Sequence, residues 1–341
     1  MSAGVPAVSR SGRSTRPTSV VGAVLLLVLV ALPFLVYEDV TSSLVSLFVL
    51  IVIASMWNLL AGFGGLVSVG QQAFIGVGAY TVVALADAGV PPYLGVLMAA
   101  VTAAALALPT SFLAFRLRGD YFAVGTWVIA EVYRLVLVKI DSLGGPSGRS
   151  LTGMNDVDAT MRAAFTYWLA LGVAVVSVAT CFWLLRGRIG LALTAVRDDE
   201  VAARASGVDV TRAKRVMYLV SAAGCGAAGG VLVVDALSVQ PNAIFSVQWS
   251  ASMIFIVVIG GIGYLEGPIV GAIVYFLLQQ VLADAGSWYL VLLGCVAILV
   301  ATRLPRGLWG TVHDRWGLSL FPVDYRVTRA PAAEPCPAVR T

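Results

Sequence analysis

Apolar runs of about 20 residues recur along most of the chain, and they constrain its fold more than any other feature. Each run is long enough for a helix to cross the hydrocarbon core of a bilayer. The runs are too long for the strands of an outer-membrane barrel, which alternate over roughly 10 residues. Hydrophobic residues make up 59% of the 341 residues and charged residues only 12%, which is more apolar surface than a soluble core can use. The sequence therefore predicts an all-α polytopic membrane protein.

Ten stretches are candidates for membrane-crossing helices, so about 8–10 transmembrane helices are predicted. The candidates are residues 19–37, 43–60, 66–87, 92–115, 121–140, 164–185, 215–235, 247–264, 268–283 and 286–303. The two stretches that flank Gly260–Pro268 are short. If these two stretches form a single re-entrant hairpin instead of two spans, the number of membrane crossings remains even.

The distribution of lysine and arginine predicts which ends of the spans face the cytoplasm. With a cytoplasmic N-terminus, 18 of the 22 basic residues fall on cytoplasmic segments, as the positive-inside rule requires. An even number of crossings then places both termini in the cytoplasm. The formal net charge of +4 is therefore explained by loop topology, and no nucleic-acid partner is predicted.

These assignments divide the chain into three parts. Residues 1–18 form a cytoplasmic N-terminal tail, and residues 19–303 form the transmembrane domain. Residues 304–341 form a cytoplasmic tail that is predicted to be partly disordered. Within the transmembrane domain, residues 186–214 form a charged cytoplasmic segment.

The third predicted span is rich in glycine and carries two adjacent glutamines at membrane depth. Its candidates for a helix interruption are Gly65 and Gly70, because glycine lets a helix break or a neighbour approach closely. Amides in hydrocarbon need partners, so the glutamines should face protein or a wet cavity. Close packing and a pathway-lining broken helix both remain open. The pathway candidates of this span are Ser68, Gln71, Gln72 and Tyr80.

The fifth predicted span carries two opposite charges inside an apolar run. Glu131 and Arg134 lie three residues apart and can neutralise one another on one helix face. A structural ion pair and a role in transport both remain open, because ionisable residues at membrane depth mark either. The pathway candidates of this span are Glu131 and Tyr121.

A second interruption is predicted where the eighth and ninth spans meet. The sequence there reads GGIGYLEGP, and its proline is placed to open the following helix. The interruption candidates are Gly260, Gly261, Gly267 and Pro268.

The stretch from Gly190 to Val220 is the longest charged segment enclosed by apolar ones. Small, weakly apolar residues recur at helical spacing from 191 to 206, which predicts a short helix whose face could enter a groove on a soluble protein. Gly207 then marks the end of that helix. A solvated amphipathic linker is the alternative. The candidates for contact with a partner are Arg197, Asp198, Asp199, Glu200, Ala203 and Gly207.

Catalytic motifs are not found in the sequence. A nucleotide-binding P-loop needs lysine followed by serine or threonine, but the two lysines precede Ile140 and Arg215. The chain has one histidine, His313, and four cysteines without a CxxC pair, so neither a metal site nor a histidine-based triad is predicted. We therefore expect a transport subunit without enzymatic activity and without a bound cofactor.

The charged segment GLALTAVRDDEVAARASGV resembles the cytoplasmic coupling segment of ABC-importer permeases, in the form found in the branched-chain amino acid (LivM-type) permeases. Four further stretches are similar to motifs of that family and occur in the same order between Gly62 and Gly271. They are GLVSVGQQAFIGVGAYT, RLRGDYFAVGTW, GGPSG with a following TG, and VIGGIGYLEGPIVGA. Five matches in order are more specific than any one of them.

The resemblance implies a permease subunit that carries branched-chain or other small neutral amino acids across a bacterial inner membrane. It also implies a homologous, LivH-like permease partner and an extracytoplasmic binding protein. Two cytoplasmic ATPase subunits would hold ATP and Mg²⁺ and would push the segment 190–207. The spans would then rock between inward-open and outward-open states.

Two positions depart from the family's pattern. Glu200 is followed by Val201 and stands seven residues before Gly207, whereas the general importer pattern is EAA, three residues and glycine. Gln71 occupies a place at which relatives often carry histidine. Permeases for urea or short amides share much of the pattern and remain an alternative. An ion-coupled secondary transporter is a second alternative, with Glu131 as its titratable midplane residue.

Overall fold

The computed structural model describes most of the region in which the sequence predicts spans. The described residues are 7–9, 27–34, 38–154, 158–282, 288–304, 306–316 and 326–328. Most of the predicted tail 1–18, more than half of the predicted span 19–37 and most of residues 317–341 lie outside the described residues.

Apolar runs form helices throughout the described transmembrane region. A helix satisfies its backbone N–H and C=O groups within its own segment, which a lipid environment demands. The helices are α1 (Glu38–Asn58), α2 (Gln72–Asp87), α3 (Pro92–Ala114), α4 (Asp120–Val138), α5 (Ala159–Arg186), α6 (Arg188–Asp198), α7 (Glu200–Ala205), α8 (Val210–Ala236), α9 (Pro241–Ile244), α10 (Val247–Gly260), α11 (Gly267–Val281), α12 (Trp288–Arg303) and α13 (Gly307–Trp316). A π-helical turn, Leu59–Phe63, extends α1. The described strands are short: β1 (Ala7–Ser9), β2 (Arg149–Ser150), β3 (Ser238–Val239) and β4 (Arg326–Thr328).

Six helices of the described residues are long and apolar enough to cross a membrane. These are Val40–Phe63, Pro92–Ala114, Asp120–Val138, Ala159–Arg186, Val210–Ala236 and Pro241–Gly260. Two shorter apolar helices, α2 and α11, lie where the sequence predicts further spans. The prediction of an all-α polytopic membrane protein is confirmed. The helix α13 falls within the predicted C-terminal tail and was not anticipated from the sequence.

Contacts between loops place the helix ends on two opposite sides of the molecule. Successive helices end on alternate sides, as the distribution of lysine and arginine along the sequence predicts. On one side, Arg197 reaches the carbonyl oxygen of Gly62 at 2.7 Å. On the other side, Arg149 pairs with Asp87 at 3.0 Å, and β2 pairs with β3. We call the first side, which carries α6 and α7, the basic side. Its basic residues are the ones that the sequence places in the cytoplasm.

The core of the molecule is a close crossing of α2, α3 and α8. Glycines allow the helix backbones to touch there. A Cβ atom on Gly78 of α2 would lie 2.0 Å from the carbonyl oxygen of Gly226 in α8. A Cβ atom on Gly226 would in turn lie 2.6 Å from the carbonyl oxygen of Ala99 in α3. Helices in lipid associate by such van der Waals contact, because no hydrophobic effect drives them together.

The third predicted span is shorter as a helix than its apolar run. Residues 66–87 were expected to form the span, but α2 begins only at Gln72. The backbone turns at Gly65, whose φ of +66° favours glycine, and then runs without helical structure to Gln71. The break lies at Gly65 and Gly70, where the sequence placed the interruption. A Cβ atom on Gly70 would lie 2.1 Å from the carbonyl oxygen of Thr126, so α4 packs directly against this loop.

The variant Gly78→Ala should destabilise the protein by about 1–3 kcal/mol, because the added methyl group collides with the backbone of α8. Thermal unfolding of the purified protein in detergent measures the effect. The control is Gly172→Ala in α5, where a Cβ atom has no neighbour within 4 Å. That variant should be neutral or slightly stabilising, since alanine is a better helix former than glycine. Equal melting temperatures for the two variants would contradict the close crossing.

Candidate functional site

The charged segment forms two helices instead of the single helix that the sequence predicts. The break falls at Asp199, whose φ of −156° and ψ of 109° are extended. Its carboxylate accepts hydrogen bonds from the backbone N–H of Val201 at 2.8 Å and of Ala202 at 3.0 Å, and so caps α7. The pattern of small residues continues through the break, so spacing alone could not reveal it. The predicted end at Gly207 is confirmed, since α7 ends at Ala205 and Gly207 has a φ of +81°.

One face of this segment is buried against the rest of the chain. Ala203 is only 4% exposed and packs with Val196 and Val210 in a small apolar cluster. The side chain of Ala203 therefore holds α7 onto the protein. The opposite face is open: Val201 is 78% exposed, and Leu191 of α6 is 45% exposed.

Glu200 ties α7 to the neighbouring span. Its carboxylate accepts from the ammonium of Lys214 at 2.7 Å and from Arg204 at 2.9 Å. The hydrogen bond from Lys214 lowers the pKa of Glu200 below its ordinary value, and the charges of Lys214, Arg204 and Arg118 act in the same direction. Because the pKa is lowered, the stabilisation is present above the ordinary carboxyl value and is lost as the pH falls through the lowered value.

Arg197 and Asn58 connect the charged segment to both helix interruptions. The Arg197 guanidinium donates to the carbonyl oxygen of Gly62, just before the first interruption. Asn58, at the end of α1, donates to the carbonyl oxygen of Tyr264 at 2.8 Å and accepts from the N–H of Gly263 at 3.0 Å. Gly62 and Gly263 are themselves adjacent, since a Cβ atom on Gly62 would lie 2.6 Å from the nitrogen of Gly263. The sequence analysis missed Asn58, although a lone amide in an apolar run is a signal for a buried contact.

The second interruption lies between α10 and α11, as the sequence predicts. The first helix ends at Gly260, and Gly261 has a φ of +125°. The second begins at Gly267, with Pro268 in its first turn. A Cβ atom on Gly267 would lie 2.3 Å from the carbonyl oxygen of Gly261, so the reversal is tight enough to require glycine.

The polar residues of the first interruption are completely buried. Ser68, Gln71 and Gln72 are 0%, 0% and 1% exposed. Gln71 accepts from Ser221 of α8 at 3.4 Å, and Gln72 accepts from Ser250 of α10. These contacts favour the packing interpretation, because almost no surface of the three side chains remains for a solute. Their assignment to a pathway stays a prediction.

The aromatic candidate of the same span, Tyr80, is also enclosed. It is 3% exposed, and its ring stacks on that of Phe245 with 6.3 Å between the centroids. Its role in a pathway likewise stays a prediction.

The polar candidates on α4 are exposed at the surface of the chain. The Glu131 side chain is 47% exposed and pairs with Arg134, which also donates to Asn242 of α9 at 2.8 Å. Tyr121 lies on the same helix and is 77% exposed. Apolar side chains share this exposed face, which we call the α4 face: Val124, Trp127, Val128, Val132 and Leu135. A carboxylate in the middle of a span therefore lies open to whatever surrounds the chain.

Metal-ligating residues do not cluster in the described part of the chain. Within it, no group of three or more histidine, cysteine, aspartate or glutamate side chains could hold a metal ion. Whether the chain binds a cofactor is not tested by this observation, and its absence stays a prediction.

The fold defines a class of protein: a multi-pass helical membrane protein with interrupted spans and a charged two-helix segment on one side. A family model described as branched-chain amino acid transport system / permease component matches residues 40–301. The chain belongs to this family of ABC-type permeases. No solved structure matches the chain.

Two of the curated relatives are also described as branched-chain amino acid permeases, and a third is described as a sugar permease. The chain is 30% identical over 311 residues to LivM of Escherichia coli (strain K12), a high-affinity branched-chain amino acid transport system permease protein, and 29% identical to LivM of Salmonella typhimurium. Both alignments cover 83% of this chain and 73% of the relative. The chain is also 25% identical over 284 residues to the fructose import permease protein FruG of Bifidobacterium longum, covering 78% of this chain and 82% of FruG.

The variant Asp199→Ala should loosen α7, because it removes the acceptor for two backbone N–H groups at the helix start. Loss of such a cap costs about 0.5–2 kcal/mol. Hydrogen–deuterium exchange should show faster exchange in residues 200–205. The control is Asp198→Ala, whose exposed side chain caps no helix in the described residues. Equal exchange in the two variants would show that Asp199 does not fix the break.

Proposed function

We propose that this chain is the permease subunit of a bacterial ABC importer for branched-chain amino acids. It lies in the inner membrane with both termini in the cytoplasm, so the basic side faces the ATPase subunits. It pairs with a homologous permease, and an extracytoplasmic binding protein delivers the substrate. ATP and Mg²⁺ bind to the ATPases, and this chain contributes no catalytic group.

One arrangement carries the proposal: the charged segment touches both interrupted spans. Arg197 contacts the first interruption, and Asn58 fastens that interruption to the second. A displacement of α6 and α7 would therefore move the backbone at both helix interruptions, the one before α2 and the one between α10 and α11. The two helix breaks allow the spans to change direction, whereas an uninterrupted helix would resist bending.

The α4 face supports a pathway between two permease subunits. An ionised carboxylate in the middle of a span is not stable against lipid and instead faces protein or water. Glu131 lies on the exposed face of α4, so that face is covered by a second subunit or by a water-filled path. The flanking apolar side chains of the α4 face are suited to pack against a second subunit. The charged Glu131–Arg134 pair is suited to line a water-filled path between the two subunits.

The relatives divide between amino acid and sugar transport, so substrate choice needs a direct experiment. The complete complex, with its partner permease, ATPases and binding protein, is reconstituted in liposomes and supplied with ATP. We expect uptake of labelled leucine that unlabelled leucine, isoleucine and valine compete away. Competition by fructose, or by urea and short amides, would reassign the substrate. Uptake driven by an ion gradient without ATP would contradict the importer assignment.

The variant Val201→Ser should weaken binding of the ATPase subunits about tenfold, because it removes an exposed apolar side chain from the proposed docking face. The melting temperature should not change, since Val201 is 78% exposed. Affinity between the purified ATPases and the permease pair in nanodiscs measures the effect. Trp316→Ser is the control, because Trp316 is 70% exposed outside the charged segment. Unchanged affinity in Val201→Ser would exclude this face as the docking surface.

A cysteine at position 131 should react with a charged, water-soluble thiol reagent in the assembled complex. The thiolate is the reactive form, and it requires water. The background lacks the native cysteines Cys181, Cys225, Cys295 and Cys336. The matched control is Val176→Cys, at a position in α5 that is also mid-span and 64% exposed. We expect labelling of Glu131→Cys and little labelling of Val176→Cys; similar labelling of both would show that the α4 face does not line a wet path.

A further inference from the structure

A cavity of about 510 Å³ opens on the basic side, between the start of α4, the helix α7 and the start of α8. This volume is within the range of small-molecule sites, which is roughly 300–1,000 Å³. Part of its wall is apolar and part is charged. The apolar side chains include Leu66, Phe115, Leu117 and Phe122, and the charged ones are Arg118, Asp120, Glu200, Arg204 and Lys214.

The charged groups of the wall are not equally satisfied. Glu200 is engaged by Lys214 and Arg204, which leaves that carboxylate with two cationic partners. Arg118 and Asp120, by contrast, make no hydrogen bond or ion pair within the described parts of the chain, although Arg118 acts on Glu200 through space. One guanidinium and one carboxylate, both on exposed residues, thus stand at the same cavity wall without a direct protein partner in the described residues. Gly119 separates them, with a φ of +58° that turns the chain between α3 and α4.

We propose that this cavity binds a free α-amino acid with an apolar side chain on the ATPase side of the membrane. The ammonium group would bind Asp120, and the carboxylate would bind Arg118 through charge-assisted hydrogen bonds. The apolar side chain would lie against Leu66, Phe115 and Phe122. The inference rests on the proposed function for the substrate class, and it adds an inner site for that substrate.

The charge pattern selects this ligand class over the others that the relatives suggest. A zwitterion presents both signs within a few atoms, and the two unpaired groups of the wall also carry both signs. A phosphate could pair with the cations of the wall, but it would stand beside the carboxylates of Asp120 and Glu200 and would offer no donor to Asp120. A sugar carries no charge, so it would form no ion pair with either group, and its hydrogen bonds to them would be weaker than those of a zwitterion.

The site also contacts the charged segment. Glu200 and Arg204 belong to α7 and share the wall with the start of α4. A bound amino acid would therefore occupy a space that α4 and α7 enclose together.

The test is calorimetric titration of L-leucine into the complex of permease pair and ATPases in nanodiscs, without the binding protein. 4-Methylvalerate lacks the ammonium group and isoamylamine lacks the carboxylate, so we expect each to bind at least about tenfold more weakly. Arg118→Gln and Asp120→Asn should each weaken leucine binding by a similar factor. Arg212→Gln is the control, because Arg212 is exposed on the same side but does not line this cavity.

The exchanged pair Arg118→Asp with Asp120→Arg separates head-group recognition from a folding defect. It should recover leucine binding, since a zwitterion can bind with the opposite orientation. Leucine affinity that is unchanged in both single variants would overturn the proposal, as would equal binding of 4-methylvalerate and leucine. If leucine binds as expected but ATP drives no leucine uptake, the transport proposal fails and the site stands. If uptake proceeds while the variants bind normally, the site alone fails.

Discussion

A backbone group that leaves the helical ladder inside a membrane has no water to bond, so every break in a span must be satisfied by the protein around it. The break before α2 meets this demand through three helices. Trp57 of α1 donates to the carbonyl oxygen of Ser68 at 2.8 Å, and Ser250 of α10 donates to that of Val69 at 3.1 Å. Thr126 of α4 accepts from the N–H of Val69 at 3.2 Å. The loop is therefore a junction at which α1, α4 and α10 are fixed together.

The same demand explains why the charged segment can act on the spans. The carbonyl oxygen of Gly62 stands at the end of a π-helical turn, and Arg197 supplies a donor for it. Asn58 does the same for the carbonyl oxygen of Tyr264 in the second break. Arg197 and Asn58 thus hydrogen-bond to backbone groups that lack a helical partner. The same two side chains link the charged segment and the two helix breaks to one another. Stability and transmission of movement thus depend on the same few hydrogen bonds.

Parts of the fold that depend on contact with solvent or lipid, or on the backbone freedom of glycine, could be predicted from the sequence. The apolar runs predicted the six long apolar helices among ten candidate spans, basic residues predicted the grouping of the loops, and glycine-rich stretches predicted both interruptions. Features that depend on distant partners were not accessible. From the sequence alone, Gln71 and Gln72 could line a transport pathway. The structure instead shows them hydrogen-bonded to Ser221 and Ser250. The break at Asp199 was hidden for a different reason, because a cap is a local hydrogen bond that leaves the apolar periodicity intact.

In the mechanism proposed above, movement of the charged segment reaches the interrupted spans through Arg197. The most direct measurement is the number of ATP molecules hydrolysed per leucine imported by the reconstituted complex carrying Arg197→Gln, with Arg212→Gln as the matched control. We expect that Arg197→Gln continues to hydrolyse ATP while leucine import falls. This ratio should then rise about tenfold or more, as loss of one charge-assisted hydrogen bond of about 1.5–3 kcal/mol allows. Arg212→Gln should keep the wild-type ratio. A wild-type ratio in Arg197→Gln would show that this side chain does not transmit the movement.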